Sequence, residues 1–324
     1  FTRDTSSGDF SIGSSGVFNN TGTVNVQTGT LRLLSPDSGA TSGDFNISNG
    51  ATLSFEGNYA LGATSDVAGA GGVQFGGGAT VNVNGSYNVG GLTTFSLGTA
   101  NFGNALSSLS IGPVAISNGT ANFGTNSFTI PTLAQNGGVL SGSGTINITG
   151  PFNWTAGTMS GSGVTNANGG ITMNGFGVTL IGRTLHNAAG RTATLSGINA
   201  TLMLAGGGAV FNNDGTFLAQ NNNGLFAGGV GTNTFNNAGV FQLFGVANHL
   251  MAKESSELIG DIDADVLRNM AKSRQIISIS NEKAMSARLP DYLVDAPFQG
   301  LWDPNPMFET ETPGPSKRRP SRGR

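Results

Sequence analysis

Seven carboxylates, two histidines and four arginines are all the ionisable chemistry that residues 1–250 offer apart from tyrosine. The carboxylates are Asp4, Asp9, Asp37, Asp44, Glu56, Asp66 and Asp214. Cutting a glycan needs two carboxylates brought close together, or a carboxylate set beside a base. Here no two are adjacent in sequence, and all but Asp214 fall before residue 70. An acid/base pair would therefore have to be assembled by the fold, and no catalytic residue is assigned.

The basic residues give one cluster. Arg183, His186 and Arg191 lie within nine residues, a spacing that suits an anionic sugar. The plainer reading is a pair of solvated arginines on neighbouring corners, with His186 in the place where other copies of its phrase carry Asn. Trp154 stands two residues from Phe152, so strand alternation puts both on one face. They make either a sugar-stacking surface or a core stack, and the core stack is preferred. Arg183, His186, Arg191 and Trp154 together are the candidate ligand surface.

Other site types are absent from the sequence. There is no cysteine, which excludes thiolate metal sites, disulfides and a cysteine nucleophile. Glycine runs such as Gly206-Gly-Gly208 carry no Gly-Lys-Ser/Thr for a phosphate loop. Asp261, Asp263 and Asp265 resemble the start of a calcium loop, but Val266 stands where Gly is needed and Lys272 where Glu is needed. We expect no metal, no cofactor and no enzyme activity.

The elements that must position these residues divide at Leu250–Met251. Residues 1–250 hold 49 of the 53 glycines, 11 charged residues and no lysine. Residues 251–324 hold all four lysines and 22 charges. The formal net charge is −3, which argues against capture of nucleic acid by the body. No run approaches the ~18 apolar residues of a membrane helix.

The body alternates apolar residues with Thr, Asn or Ser in short runs: Thr23-Val-Asn-Val26, Ala51-Thr-Leu-Ser-Phe55, Ala79-Thr-Val-Asn-Val83, Thr145-Ile-Asn-Ile148 and Ala200-Thr-Leu-Met-Leu204. That is the period-2 pattern of strands with one buried face. Whole phrases recur. Thr99-Ala-Asn-Phe-Gly103 returns at 120–124, Ser141-Gly-Ser-Gly144 at 160–163, and Phe211-Asn-Asn213 at 235–237. A period near 20 residues with short strands predicts a solenoid. We expect an all-β fold, a right-handed parallel β-helix of roughly 20-residue coils, about 12 in number, followed by a small helical or disordered tail. An antiparallel sandwich is the rival, but it does not require phrases to recur.

Further phrases carry a resemblance: Gly16-Val-Phe-Asn-Asn-Thr-Gly-Thr-Val24, Gly138-Val-Leu-Ser-Gly-Ser-Gly-Thr145, Phe152-Asn-Trp-Thr-Ala-Gly-Thr-Met-Ser-Gly-Ser-Gly163, Gly182-Arg-Thr-Leu-His-Asn187 and Thr234-Phe-Asn-Asn-Ala-Gly239. The chain resembles bacterial surface and secreted proteins with β-strand repeats, similar to the parallel β-helix passengers of adhesins and autotransporters. The resemblance covers most of 15–245 and is most specific over 138–240. It implies a secreted or cell-surface location and a non-catalytic structural or adhesion role, with glycans or cell surfaces as partners. The alternative is a β-helix polysaccharide lyase or hydrolase. The chain reads as a fragment whose signal peptide lies elsewhere.

In the tail, Leu258, Ile259, Ile262, Val266, Leu267 and Met270 fall on one helical stripe over 256–272. Gln275–Ser280 is β-prone, a second short helix is expected over 281–288, and a Pro-rich extended segment follows. The basic end, Lys317 to Arg324, suits weak anion binding. Met251 stands like an initiator, so the tail reads as an unrelated fused segment or as a cap for the solenoid.

Overall fold

A computed structural model describes residues 2–3, 8–13, 15–39, 41–104, 106–221, 223–243, 274–277 and 285–288. Contacts divide the chain into Phe1–Ala247 and Asn248–Arg324. Among the described residues there is no helix.

The first unit is a parallel β-solenoid of about 11 turns. Its coils have three faces. One coil shows the plan: Ser86–Val89 lies on face A, Thr93–Phe95 on face B and Thr99–Phe102 on face C. Each strand pairs in parallel with the equivalent strand one coil before and one coil after. The strand pairings over Thr2–Leu243 are all parallel, and the only antiparallel contact described there is the isolated bridge Phe176↔Ala200. This rules out the sandwich. Faces B and C merge into one 19-stranded sheet. The merging strands are Leu133–Ser141 and Phe152–Ser160, each nine residues long, which run through the B–C corner with a register shift.

The coil length varies. Phe128 meets Ile146, 18 residues on, whereas Thr184 meets Val210, 26 residues on. Corner loops absorb the difference while the strands keep register. Longer late coils explain why the turns number fewer than a constant period predicts.

Parallel register converts each strand position into a column. Phe55, Phe75 and Phe95 stack through the core of face B at 5.7 and 5.2 Å. Tyr87 is fully buried beside them, its hydroxyl 2.8 Å from Thr93 Oγ1. One inward column of face A changes character along the stack. It runs Ile130, Ile148, Ala167, Asn187, Asn213, Asn237. The asparagines form an internal ladder: Asn187 Nδ2 donates to Asn213 Oδ1 at 2.8 Å, and Asn213 Nδ2 to Asn237 Oδ1 at 2.7 Å. The same amides donate to the corner carbonyls of Thr216 and Val240. Among the described residues Asn187 Oδ1 has no partner, because the coil before it presents Ala167.

Close approach of coils also fixes corner residues. A Cβ on Gly69, at φ +134°, would lie 2.0 Å from the Ile47 carbonyl oxygen, so any side chain there collides with the previous coil.

The run at 200–204 turns Ala200, Leu202 and Leu204 inward and Met203 outward as its alternation places them, with the strand itself over Leu202–Ala205. One expectation needs correction. In the second unit Met285–Arg288 is a strand, paired antiparallel with Arg274–Ile277, and not the end of a helix. An eight-residue helix is too short to hold alone, and a neighbouring β-prone segment supplies a pairing edge. The helix expected over 256–272, residues 281–284 and the segment beyond 290 lie outside the described residues.

Inner and outer asparagines should respond differently to truncation. Asn213→Ala leaves buried ladder and carbonyl groups unpaired and should cost about 1–3 kcal/mol. Asn101→Ala, on the solvated side of face C, should stay within about 0.5 kcal/mol. Urea-unfolding midpoints of the two variants check this.

Candidate functional site

The four residues of the candidate ligand surface do not share a surface. Trp154 is fully buried and stacks on Phe152 with ring centroids 5.8 Å apart. It belongs to the core of face B, as the preferred reading of the sequence has it. Arg183 is also fully buried, which corrects its placement as a solvated corner residue or a ligand contact.

The reason lies in the repeated phrase. Ser141-Gly-Ser-Gly144 and Ser160-Gly-Ser-Gly163 form successive C–A corners, and the third corner carries Gly182-Arg183. The guanidinium reaches back across two coils into the space that the glycines leave. Its Nε donates to Thr165 Oγ1 at 2.8 Å, Nη1 to the carbonyls of Gly142 and Ser160 at 2.9 and 3.2 Å, and Nη2 to that of Val164 at 3.2 Å. A Cβ on Gly163 would come within 2.8 Å of Nη1. Among the described residues no carboxylate pairs with Arg183. Burial pushes its pKa down to about 10, so it is still charged at neutral pH and acts as a strap between three coils.

His186 and Arg191 remain outside. His186 Nε2 lies 2.6 Å from Asp214 Oδ2, and both side chains are partly exposed. In register His186 interrupts an outward asparagine column, Asn147, Asn166, His186, Asn212, Asn236. Asn166 bonds to Asn147 and Asn236 to Asn212, each at 2.8 Å. Arg191 is exposed at the A–B corner, and no ion pair involving it is found among the described residues.

The solenoid assembles other groups that the spacing in sequence hides. Arg32 and Glu56 sit on face B one coil apart and form a bidentate pair, Nε to Oε1 at 2.8 Å and Nη2 to Oε2 at 2.7 Å. Asp9 lies 3.9 Å from Arg32 on the other side, and Ser54 Oγ donates to Glu56. The hydrogen bond from Arg32 holds the Glu56 carboxyl below its ordinary pKa against the opposing effect of burial. Asp44 and Asp66 stand one above the other in an outward column of face A, where the Asp66 N–H donates to Asp44 Oδ1 at 3.1 Å. The offset between Arg32 and Glu56 is 24 and that between the two aspartates 22, both near the repeat period, so the register could have found them. Asp4 and His249 lie outside the described residues. Among the described residues no cluster of three or more His, Cys, Asp or Glu could hold a metal.

The broadest regular feature is polar. On face C two columns face outward. One carries Thr80, Thr99 and Thr120; the other carries Asn82, Asn101 and Asn122. Asn101 donates to Asn82 at 3.0 Å and Asn122 to Asn101 at 3.1 Å. This fixes the amides in a row and leaves each side chain hydrogen-bonding capacity beyond the ladder, part of which the Gly124 N–H takes at Asn122.

These features define a parallel β-solenoid repeat protein. Comparison with protein families, with curated proteins and with solved structures found no match to this chain.

Arg183→Met should lower stability by about 3 kcal/mol, since several buried carbonyls lose a charged donor. Gly163→Ala should be destabilising through the same slot, whereas Arg191→Ala should change stability by less than about 0.5 kcal/mol. Thermal midpoints compare the three. A second expectation concerns acid. A carboxyl with a lowered folded pKa contributes stability above its unfolded value, near 4.5, and loses it as pH falls through the folded value. Wild type should therefore lose more stability than Glu56→Gln between pH 6 and pH 3, read from urea midpoints at each pH.

Proposed function

We propose that the chain is a non-catalytic structural or adhesion-type repeat protein, secreted or displayed at a cell surface, that presents its threonine and asparagine columns to glycans or other cell surfaces. The single observation behind this is the pair of face C columns. A row of hydroxyls beside a row of amides, repeated each coil at about 4.8 Å, offers donors and acceptors to a partner that is itself repetitive. The low charge of the body supports contact by neutral hydrogen bonding over ionic attraction. The likeness of the phrases to β-strand-repeat surface proteins points the same way. The basic end from Lys317 adds a weak anion-binding segment under this reading.

A second reading, a β-helix lyase or hydrolase, has the Asp44–Asp66 column behind it. The two aspartates stand in adjacent coils, with the Asp66 N–H 3.1 Å from Asp44 Oδ1, and a pair of carboxylates is what acid/base cleavage of a glycan needs. No arginine, lysine or histidine is hydrogen-bonded to either of them among the described residues, so nothing assigns one as acid and the other as base.

One experiment separates the two. The full chain is incubated with a panel of neutral and acidic polysaccharides and with intact cells. We expect retention on at least one surface, reduced several-fold by the triple change Asn82→Ala, Asn101→Ala, Asn122→Ala, with no new sugar ends. Release of reducing or unsaturated ends that disappears in Asp44→Asn would establish the enzyme reading instead.

A further inference from the structure

Face C changes character near its last turns. Its first outward column runs Thr120, Val139, Thr158, Thr179 and then Met203, Phe226. Its second runs Asn122, Ser141 and later Ile181, Ala205, Gly228. Met203 and Phe226 are directly paired neighbours, and both are exposed, at 40% and 46%.

The corners on either side of face C carry further exposed apolar residues. At the B–C corner Phe176 and Ile198 are 79% and 93% exposed, in adjacent coils joined by the Phe176↔Ala200 bridge. At the C–A corner Val230 is 91% exposed. It lies over a glycine bed: a Cβ on Gly207 would come within 2.7 Å of the Val230 carbonyl. Ile198 is held out by a loop that belongs to the longest coil step, from Thr184 to Val210. Asn199 in that loop takes φ 65°, the one positive φ outside glycine among the described residues.

No charge interrupts this surface. The charged residues of described positions 170–243 are Arg183, which is buried, and Arg191 and Asp214, which lie at the A–B corner. From their fractional exposures, Met203, Phe226, Phe176, Ile198 and Val230 together expose on the order of several hundred Å². That is the scale of the roughly 800 Å² that each partner contributes to a stable interface. Thr158 and Thr179 border it as a polar rim.

We propose that this end of face C is a homodimer interface, occupied by the same face of a second copy of the chain. Two flat sheet faces pack at about 10 Å. A two-fold contact sets Met203 and Phe226 against their own equivalents and brings no charge into the contact. It leaves the threonine and asparagine columns of residues 80–122 free, so it does not depend on the adhesive reading.

The test is light scattering of the full chain across a concentration series. The expected mass is twice the 32.7 kDa of one chain, with the double change Ile198→Ser, Val230→Ser raising the dimer dissociation constant at least tenfold. Both residues are over nine-tenths exposed, so these changes do not disturb the core, and an unaltered β-type circular dichroism spectrum checks that. Met203→Glu with Phe226→Glu should give a monomer. A monomeric wild type at about 100 μM, far above the Kd of a stable interface of this size, growth beyond the dimer without a stop, or a dimer untouched by both double variants would overturn the proposal.

Discussion

Parallel hydrogen bonding between coils is the constraint on which the rest of the molecule depends. A strand that pairs in register with its equivalents sets each side chain about 4.8 Å from its own counterparts. Every residue is then selected for compatibility with the same position above and below. Phenylalanine satisfies this by stacking, as Phe55, Phe75 and Phe95 do. Asparagine satisfies it by amide-to-amide bonding, both outside at Asn82, Asn101 and Asn122 and inside at Asn187, Asn213 and Asn237. A column of like charge is disfavoured by it, which gives a physical reason for the scarcity of charge in the first 250 residues.

The exceptions obey the same rule. Arg32 and Glu56 occupy neighbouring coils as opposite charges and bond to one another. Asp44 and Asp66 are like charges in neighbouring coils, and the contact between them is made through the backbone N–H of Asp66. Arg183 avoids a column by folding back along the axis over corners that have no side chains. Its hydrogen bonds tie together coils that otherwise touch only their nearest neighbours. The inward change from Ile148 through Ala167 to Asn187 shows that a solenoid core tolerates polar groups when they form a chain of partners.

Much of the fold was legible in the residues. Thr23–Val26, Thr80–Val83 and Thr145–Ile148 are strands where the alternation placed them, because a period-2 pattern is a local property. Recurring phrases gave the solenoid, since only coil-on-coil stacking asks for them. The candidate surface fared less well. Arg183 was grouped with His186 and Arg191 by proximity in sequence, yet Arg183 sits at the corner just before the Thr184–Asn187 strand and His186 within it, so alternation over three positions turns them to opposite sides. The groups that do meet, such as Arg32 with Glu56, are one coil apart. The tail helix over 256–272 falls outside the described residues.

By itself, then, the sequence determined the strand pattern, the stacking and the low charge, because these follow from alternation and repetition. The tertiary structure decided which residues face each other and which face water. It buried Arg183 in a glycine slot, joined Asn187 to Asn213, and set Met203 beside Phe226 on an open face. Coil lengths vary from 18 to 26 residues, so a period read from phrases cannot assign those partners. Only the backbone register, fixed by hydrogen bonds between coils, does so.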